Sequence, residues 1–258
     1  MNLDAYLARI GHRGPLAVDA TTLDALHRVH LLAVPFENLD IHWGRPITLD
    51  DARHFAKIVG ERRGGFCYEQ NALFGWALRT IGFRVELRSA AVHGDAGWTR
   101  PAAHVMLRVD LDEPWIADVG FGDNFRAPKR LVDGLVQDEA PRAYRFDRSE
   151  PADEADGPMW TLSTRGFDGR WAPSYRFADV PRAIDHFDAM CRYQQTSPTS
   201  MFVQKRICSQ ATPTGRLSLS NDEWIVSGLE GSRDVTKVDE ATWTLLLAEH
   251  FGITRPNP

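Results

Sequence analysis

The chain is expected to be an α+β protein: helical over about its first eighty residues, built of antiparallel strands through its middle, and mixed in its last third. Three features carry that expectation. Apolar residues recur at three- and four-residue spacing as far as about Gly82, they alternate with polar residues beyond it, and the two periods interleave after an acidic, proline-containing stretch. With 258 residues, 43% of them hydrophobic and 25% charged, the chain is long and apolar enough to enclose a sizeable core.

Leu3, Tyr6, Leu7 and Ile10 line one face of a first helix behind Asn2 as cap. Thr21 or Thr22 is placed to cap a second, with Leu23, Leu26 and His30 sharing a face. That helix stops after Val34, because Pro35 disfavours helical backbone in the residue before it. A third segment runs from about Asp50 to Gly60. The fourth starts near Cys67, buries Leu73, Phe74, Ala77, Leu78 and Ile81, and ends at Gly82. Phe83, Val85 and Leu87 then alternate with polar neighbours, and Val105, Leu107, Val109 and Leu111 alternate with His104, Met106, Arg108 and Asp110, the pattern of strands. Residues 147–158 read as an exposed loop. A strand at Trp160–Ser163 follows, then a helix from about Val180 to Tyr193 with Asp179 as cap. Strands between about Met201 and Ile225 and a helix from about Glu240 to Phe251 complete the order. There is no internal repeat and no low-complexity tract.

Composition excludes several partners. With 30 Lys and Arg against 35 Asp and Glu, the formal net charge of -5 argues against nucleic acid. The first ten residues have periodic apolarity and an early acid, Asp4, unlike a secretory signal, and no apolar run is long enough to cross a membrane. The three cysteines, Cys67, Cys191 and Cys208, are odd in number and widely spaced, which supports neither a disulfide framework nor a zinc site; no metal is expected, and the cytoplasm is the expected compartment.

The chemistry centres on Arg62-Arg63-Gly64-Gly65-Phe66-Cys67-Tyr68-Glu69-Gln70-Asn71. An isolated cysteine is most often a small buried hydrophobe. Here, however, a glycine turn delivers the thiol to the first turn of a helix, where free amides favour an anionic sulfur, so Cys67 is the candidate nucleophile. Such a thiol needs a base and a group to orient it. A hairpin turning at Asp110-Leu111-Asp112-Glu113-Pro114 and centred on Leu111 sets His104 opposite Asp118 on one face, at a Cβ separation of roughly 4.5–5.5 Å. A one-residue slip would alter that pairing.

Val34-Pro35-Phe36-Glu37-Asn38-Leu39, the Arg63–Asn71 stretch, His104 and Asp118-Val119-Gly120-Phe121-Gly122 together resemble the arylamine N-acetyltransferases, in that family's order of motifs. The resemblance spans essentially the whole chain, more weakly after residue 130. It implies a helical bundle over residues 1–82, a central antiparallel β-barrel over 83–190 and a C-terminal α/β lid over 191–258. It implies that Cys67 accepts an acetyl group from acetyl-coenzyme A, that His104 is its proton partner and that Asp118 orients the imidazole, after which an arylamine, hydrazine or arylhydroxylamine takes the acetyl group. Acetyl-coenzyme A is then a cosubstrate, and no tightly bound cofactor is implied. Phe36 and Phe121 match aromatic positions of the family's motifs and are candidates for a flat apolar wall, or else for core packing. Gly120 and Gly122 would let backbone approach the acyl group, and Arg126 with Lys129 and Arg130 would meet coenzyme A phosphates or form a solvated basic face. Glu37 and Arg63 are a candidate pair holding the cysteine turn. An amide synthase on the same fold shares these residues, and a cysteine hydrolase shares the triad's chemistry.

Overall fold

The computed structural model describes residues 1–150 and 157–255. Helix α1 (Leu3–Ile10) begins at Asn2, whose side chain accepts from the Ala5 amide at 2.9 Å. Helix α2 (Ala20–Ala33) is capped by Asp19 and not by Thr21 or Thr22: the carboxylate takes the Thr22 amide at 2.7 Å, so both threonines fall inside the first turn. After strand β1 (Phe36–Glu37) and the short helix α3 (Leu39–His42), α4 (Asp51–Phe55) runs into a π-helical turn, Ala56–Gly60, whose wider winding buries both Lys57 and Ile58. Helix α5 (Cys67–Ile81) has the expected bounds and ends at Gly82, with φ of 119°.

Nine antiparallel strands make the central sheet: β2 (Arg84–Gly94), β3 (Gly97–Trp98), β4 (His104–Asp110), β5 (Pro114–Ala117), β6 (Lys129–Arg130), β7 (Gln137–Glu139), β8 (Arg142–Ser149), β9 (Met159–Arg165) and β10 (Trp171–Ala178). Their order is β6-β5-β4-β2-β10-β9-β8-β7, with β3 added to β2. The sheet curls into a nearly closed barrel. Where a backbone ladder would join β6 to β7, the Gln137 amide stands in for a strand residue, accepting from the Arg130 N–H at 2.7 Å and donating to the Arg130 carbonyl at 2.9 Å. Alternation along β4 sorts its side chains: Val105, Leu107 and Val109 pack with Leu73, Phe74 and Leu78 of α5, while Met106 faces the barrel core of Ile116, Phe146, Leu162 and Phe177.

A second sheet follows the order β1-β11-β12-β13-β14, from β11 (Ile207–Thr212), β12 (Gly215–Ser220), β13 (Glu223–Gly228) and β14 (Arg233–Lys237). Helix α8 (Glu240–Phe251), between caps Asp239 and Gly252, packs Trp243, Leu247 and Phe251 on Cys208 and Leu219.

Three expectations are corrected here. Asp147, Arg148 and Ser149 belong to β8, because its ladder with β9 extends to Ser149 opposite Met159; residues 151–156 of the expected loop lie outside the described residues. The helix from Val180 becomes a 3-10 turn, Ile184–Phe187, followed by α6 (Asp188–Thr196), since Asp179 is held by Arg88 Nε at 2.7 Å and by Arg108 instead of capping. Met201 does not begin a strand: Ser200 caps the short helix α7 (Met201–Gln204), and extended pairing resumes at Ile207.

Candidate active site

The turn before Cys67 is built by close approach. A Cβ on Gly64 would lie 1.9 Å from the Pro35 carbonyl oxygen, so no other residue fits there without moving backbone. Two side chains from the next helical turn hold the loop: Glu69 Oε2 accepts from the Phe66 amide at 3.1 Å, and Gln70 Nε2 donates to the Gly65 carbonyl at 2.7 Å. Cys67 thus becomes the first residue of α5, only 3% exposed. Burial pushes its thiol pKa up, while the nearby backbone of Val105 and Tyr68 pulls the other way. A readily ionised thiol, as expected at a helix start, is therefore opposed here by desolvation, the largest influence on the sulfur.

His104 and Asp118 do meet, with Nε2 to Oδ2 at 2.8 Å and both groups buried. The register that brings them together differs from the expected one. Asp110 pairs with Pro114 and Leu107 with Ala117, so the hairpin centres on Asp112, midpoint of the three-residue loop, and the β4–β5 ladder ends before Asp118. A shift of the centre by one residue preserves parity, so His104 and Asp118 still share a face and touch diagonally.

Asn71, one turn beyond Cys67, completes the arrangement. Its Nδ2 donates to Asp118 Oδ1 at 2.9 Å and to the Val105 carbonyl at 2.7 Å, and its Oδ1 accepts from the Val119 amide at 3.0 Å. His27 of α2 accepts the Asp118 amide at Nε2, 3.2 Å, which makes Nδ1 its protonated nitrogen, donating to the Arg126 carbonyl at 2.9 Å. Spacing along α5 could have pointed to Asn71, four residues from the nucleophile; nothing in the sequence pointed to His27.

Beneath the turn lies a buried charge cluster larger than the expected Glu37–Arg63 pair. Arg63 Nη2 donates to Glu37 Oε1 at 2.8 Å and Asp40 Oδ1 at 3.0 Å, while Lys57 Nζ lies 2.8 Å from Glu69 Oε1 and 2.9 Å from Asp40 Oδ2. Three carboxylates face two cations. Burial, joined by the charges of Glu37 and Asp40 against the attraction of Lys57, raises the Glu69 pKa to about 7.

Phe121 sets the edge of its ring against His104, with centroids 5.1 Å apart, and Phe36 lies 6.1 Å from the Phe202 ring. Gly122, with φ of 95°, faces Phe36. A Cβ on Gly120 would lie 2.8 Å from Cys67 Cα, so this glycine lets the backbone after Asp118 pack on that of Cys67. The basic cluster is neither solvated as a whole nor continuous. Arg126 donates to the Thr212 carbonyl at 2.6 Å and to that of Gly215, Lys129 is buried 2.5 Å from Glu139 Oε2, and exposed Arg130 pairs with Glu113. No described helix is long and apolar enough to cross a membrane.

The family model for N-acetyltransferases matches residues 19–257. The Escherichia coli (strain K12) arylamine N-acetyltransferase is 41% identical over 258 residues, covering 97% of this chain and 88% of that protein. Among solved structures, the Nocardia farcinica arylamine N-acetyltransferase superposes with a TM-score of 0.89 at 35% identity, over 99% of this chain and 90% of the other. The Mycobacterium marinum arylamine N-acetyltransferase, solved in complex with CoA, gives 0.87 at 29% identity over 98% and 93%. The order of motifs, the rolled barrel and these likenesses agree, and the chain belongs to the arylamine N-acetyltransferase family.

Proposed function

We propose that the chain moves an acetyl group from acetyl-coenzyme A to an arylamine, arylhydrazine or arylhydroxylamine in two half-reactions through Cys67. One observation carries this reading: Asp118 engages His104 at Nε2, which reserves Nδ1 for a reacting proton, and Asn71, one turn along α5 from Cys67, bonds both Asp118 and the carbonyl of Val105 beside His104. Transfer of the thiol proton to Nδ1 creates a thiolate and an imidazolium together, so the buried site gains no net charge. The thiolate attacks the thioester carbonyl, the Tyr68 amide at the positive end of α5 favours the oxyanion, and coenzyme A departs with the proton from His104. An amine nitrogen then attacks the acetyl-cysteine carbonyl and gives its proton to His104; the C–S bond breaks, the amide leaves, and the Cys67 thiolate takes that proton back as thiol.

In this reading residues 1–82 supply the nucleophile, 83–190 the imidazole and carboxylate, and 191–258 the cover, while Phe36 and Phe121 supply the flat wall for the acceptor ring. The test is intact mass after mixing with acetyl-coenzyme A. A gain of roughly 42 Da, absent from Cys67→Ala and discharged by an added arylamine, is the expected result. An unmodified Cys67 with no release of coenzyme A would sink the reading.

A further inference from the structure

Where the barrel meets the second sheet, a cavity of about 190 Å³ opens one residue beyond Gly122, lined among others by Arg28, Asp123, Asn124, Arg126, Arg142 and Arg216. Its four arginines face two carboxylates, Asp123 and Glu139, a formal surplus of two positive charges. Two buried donors have no hydrogen-bond partner among the described residues: Asn124 Nδ2 and Arg216 Nε, the latter 3.4 Å from Asp123 Oδ1 without bonding it. Arg126 is tied to two carbonyls of the β11–β12 hairpin and so holds its charge fixed in the wall. Arg142 grips both oxygens of Asp123, at 3.1 and 3.0 Å, yet the Asp123 side chain is 55% exposed, free to swing into solvent and yield Arg142 and Arg216 to a stronger anion.

The cleft also adjoins the proposed reaction centre. Arg216 Nη1 donates to Ser209 Oγ, and Ser209 is the ladder partner of Phe36, the ring that faces Gly122. We propose that this cleft binds a phosphate or pyrophosphate group, held by Arg142 and Arg216 with Asn124 as a neutral donor. Planar guanidinium forks suit phosphate oxygens, and the fixed surplus charge remains after Asp123 turns away. The group can come from the nucleotide end of coenzyme A, an assignment that rests on the acyl-donor reading above, or from a separate phosphate ligand.

The experiment is calorimetric titration of the whole protein with inorganic pyrophosphate, coenzyme A and pantetheine, repeated on Arg216→Gln and on Arg142→Gln at the wall's more accessible arginine. Pyrophosphate is expected to bind, and the preference for coenzyme A over pantetheine to fall about tenfold in either variant, as loss of one charge-assisted contact implies. Displacement of pyrophosphate by coenzyme A identifies the cosubstrate as the source, whereas undisturbed pyrophosphate with weakened binding in both variants identifies a separate ligand. No pyrophosphate binding, together with an unchanged preference in both variants, overturns the site. Failure of Cys67 to acetylate while pyrophosphate still binds counts against the acyl-donor reading alone.

Discussion

At Cys67 burial opposes ionisation of an isolated thiol, and in the proposed reaction a neighbouring imidazolium is what reverses that. Alkylation by iodoacetamide should therefore depend on His104: at neutral pH the His104→Gln variant should react at least ~100-fold more slowly than the parent, the range expected for loss of a positioned base. Equal rates would mean that the imidazole does not activate the sulfur. Asn71 tests the other side of the pair. Asn71→Ala leaves Asp118 Oδ1, the Val119 amide and the Val105 carbonyl each one bond short. The expected outcome is about 1–3 kcal/mol lost in urea unfolding, with acetylation of Cys67 slowed because Asp118 Oδ1 keeps only the Gly120 amide as a restraint; an unchanged midpoint would contradict the bonding described. The meeting of His104 with Asp118 was legible in the sequence because strand alternation puts both on one face of the hairpin. His27 was not, since its role depends on where α2 lies in space.

Around α5, the charged cluster sets a pH dependence with a definite sign. Glu69 has a folded-state pKa raised to about 7, so between about 4.3, its unfolded value, and 7 the folded chain binds a proton that the unfolded chain does not. Its contribution to stability is present in full below that window and is lost as pH rises through about 7. Thermal unfolding followed from pH 5 to 7.5 should show this fall, and Glu69→Gln, which keeps an acceptor for the Phe66 amide, should flatten it. A slope identical in the two proteins would remove Glu69 from the account. Reversal of charge in Arg63→Glu would place a fourth carboxylate among three and is expected to cost about 3–5 kcal/mol or prevent folding, read as loss of the cooperative transition. At this scale the ends of α5 and α8 were readable because a left-handed glycine closes each, Gly82 and Gly252, and Asp239 caps the start of α8. The hairpin register was readable only to its parity, because alternation fixes a strand's face but the loop's length fixes its partner. The helix after Val180 was misjudged because Asp179, a good cap by type, is claimed by two arginines from strands β2 and β4, about 90 and 70 residues earlier.

The whole molecule depends on two seams. One closes the barrel through the Gln137 side chain, so Gln137→Ala should leave the ladders intact but open the gap, with amide exchange rising at Arg130 and stability falling by about 1 kcal/mol. Unaltered exchange at Arg130 would show that the seam does not rest on that amide. The other seam, β1 against β11, could not be read from sequence because a two-residue strand has no period. It also sets a clock on synthesis. Phe36 and Glu37 leave the ribosome about 170 residues before Ser209 and Cys208, their ladder partners, an interval of roughly 10–30 s at ordinary elongation rates. For most of that wait the segment bearing Cys67 is already made while one edge of its shelter is not, so the nascent chain passes through a stage in which this thiol, buried in the finished fold, is open to oxidants.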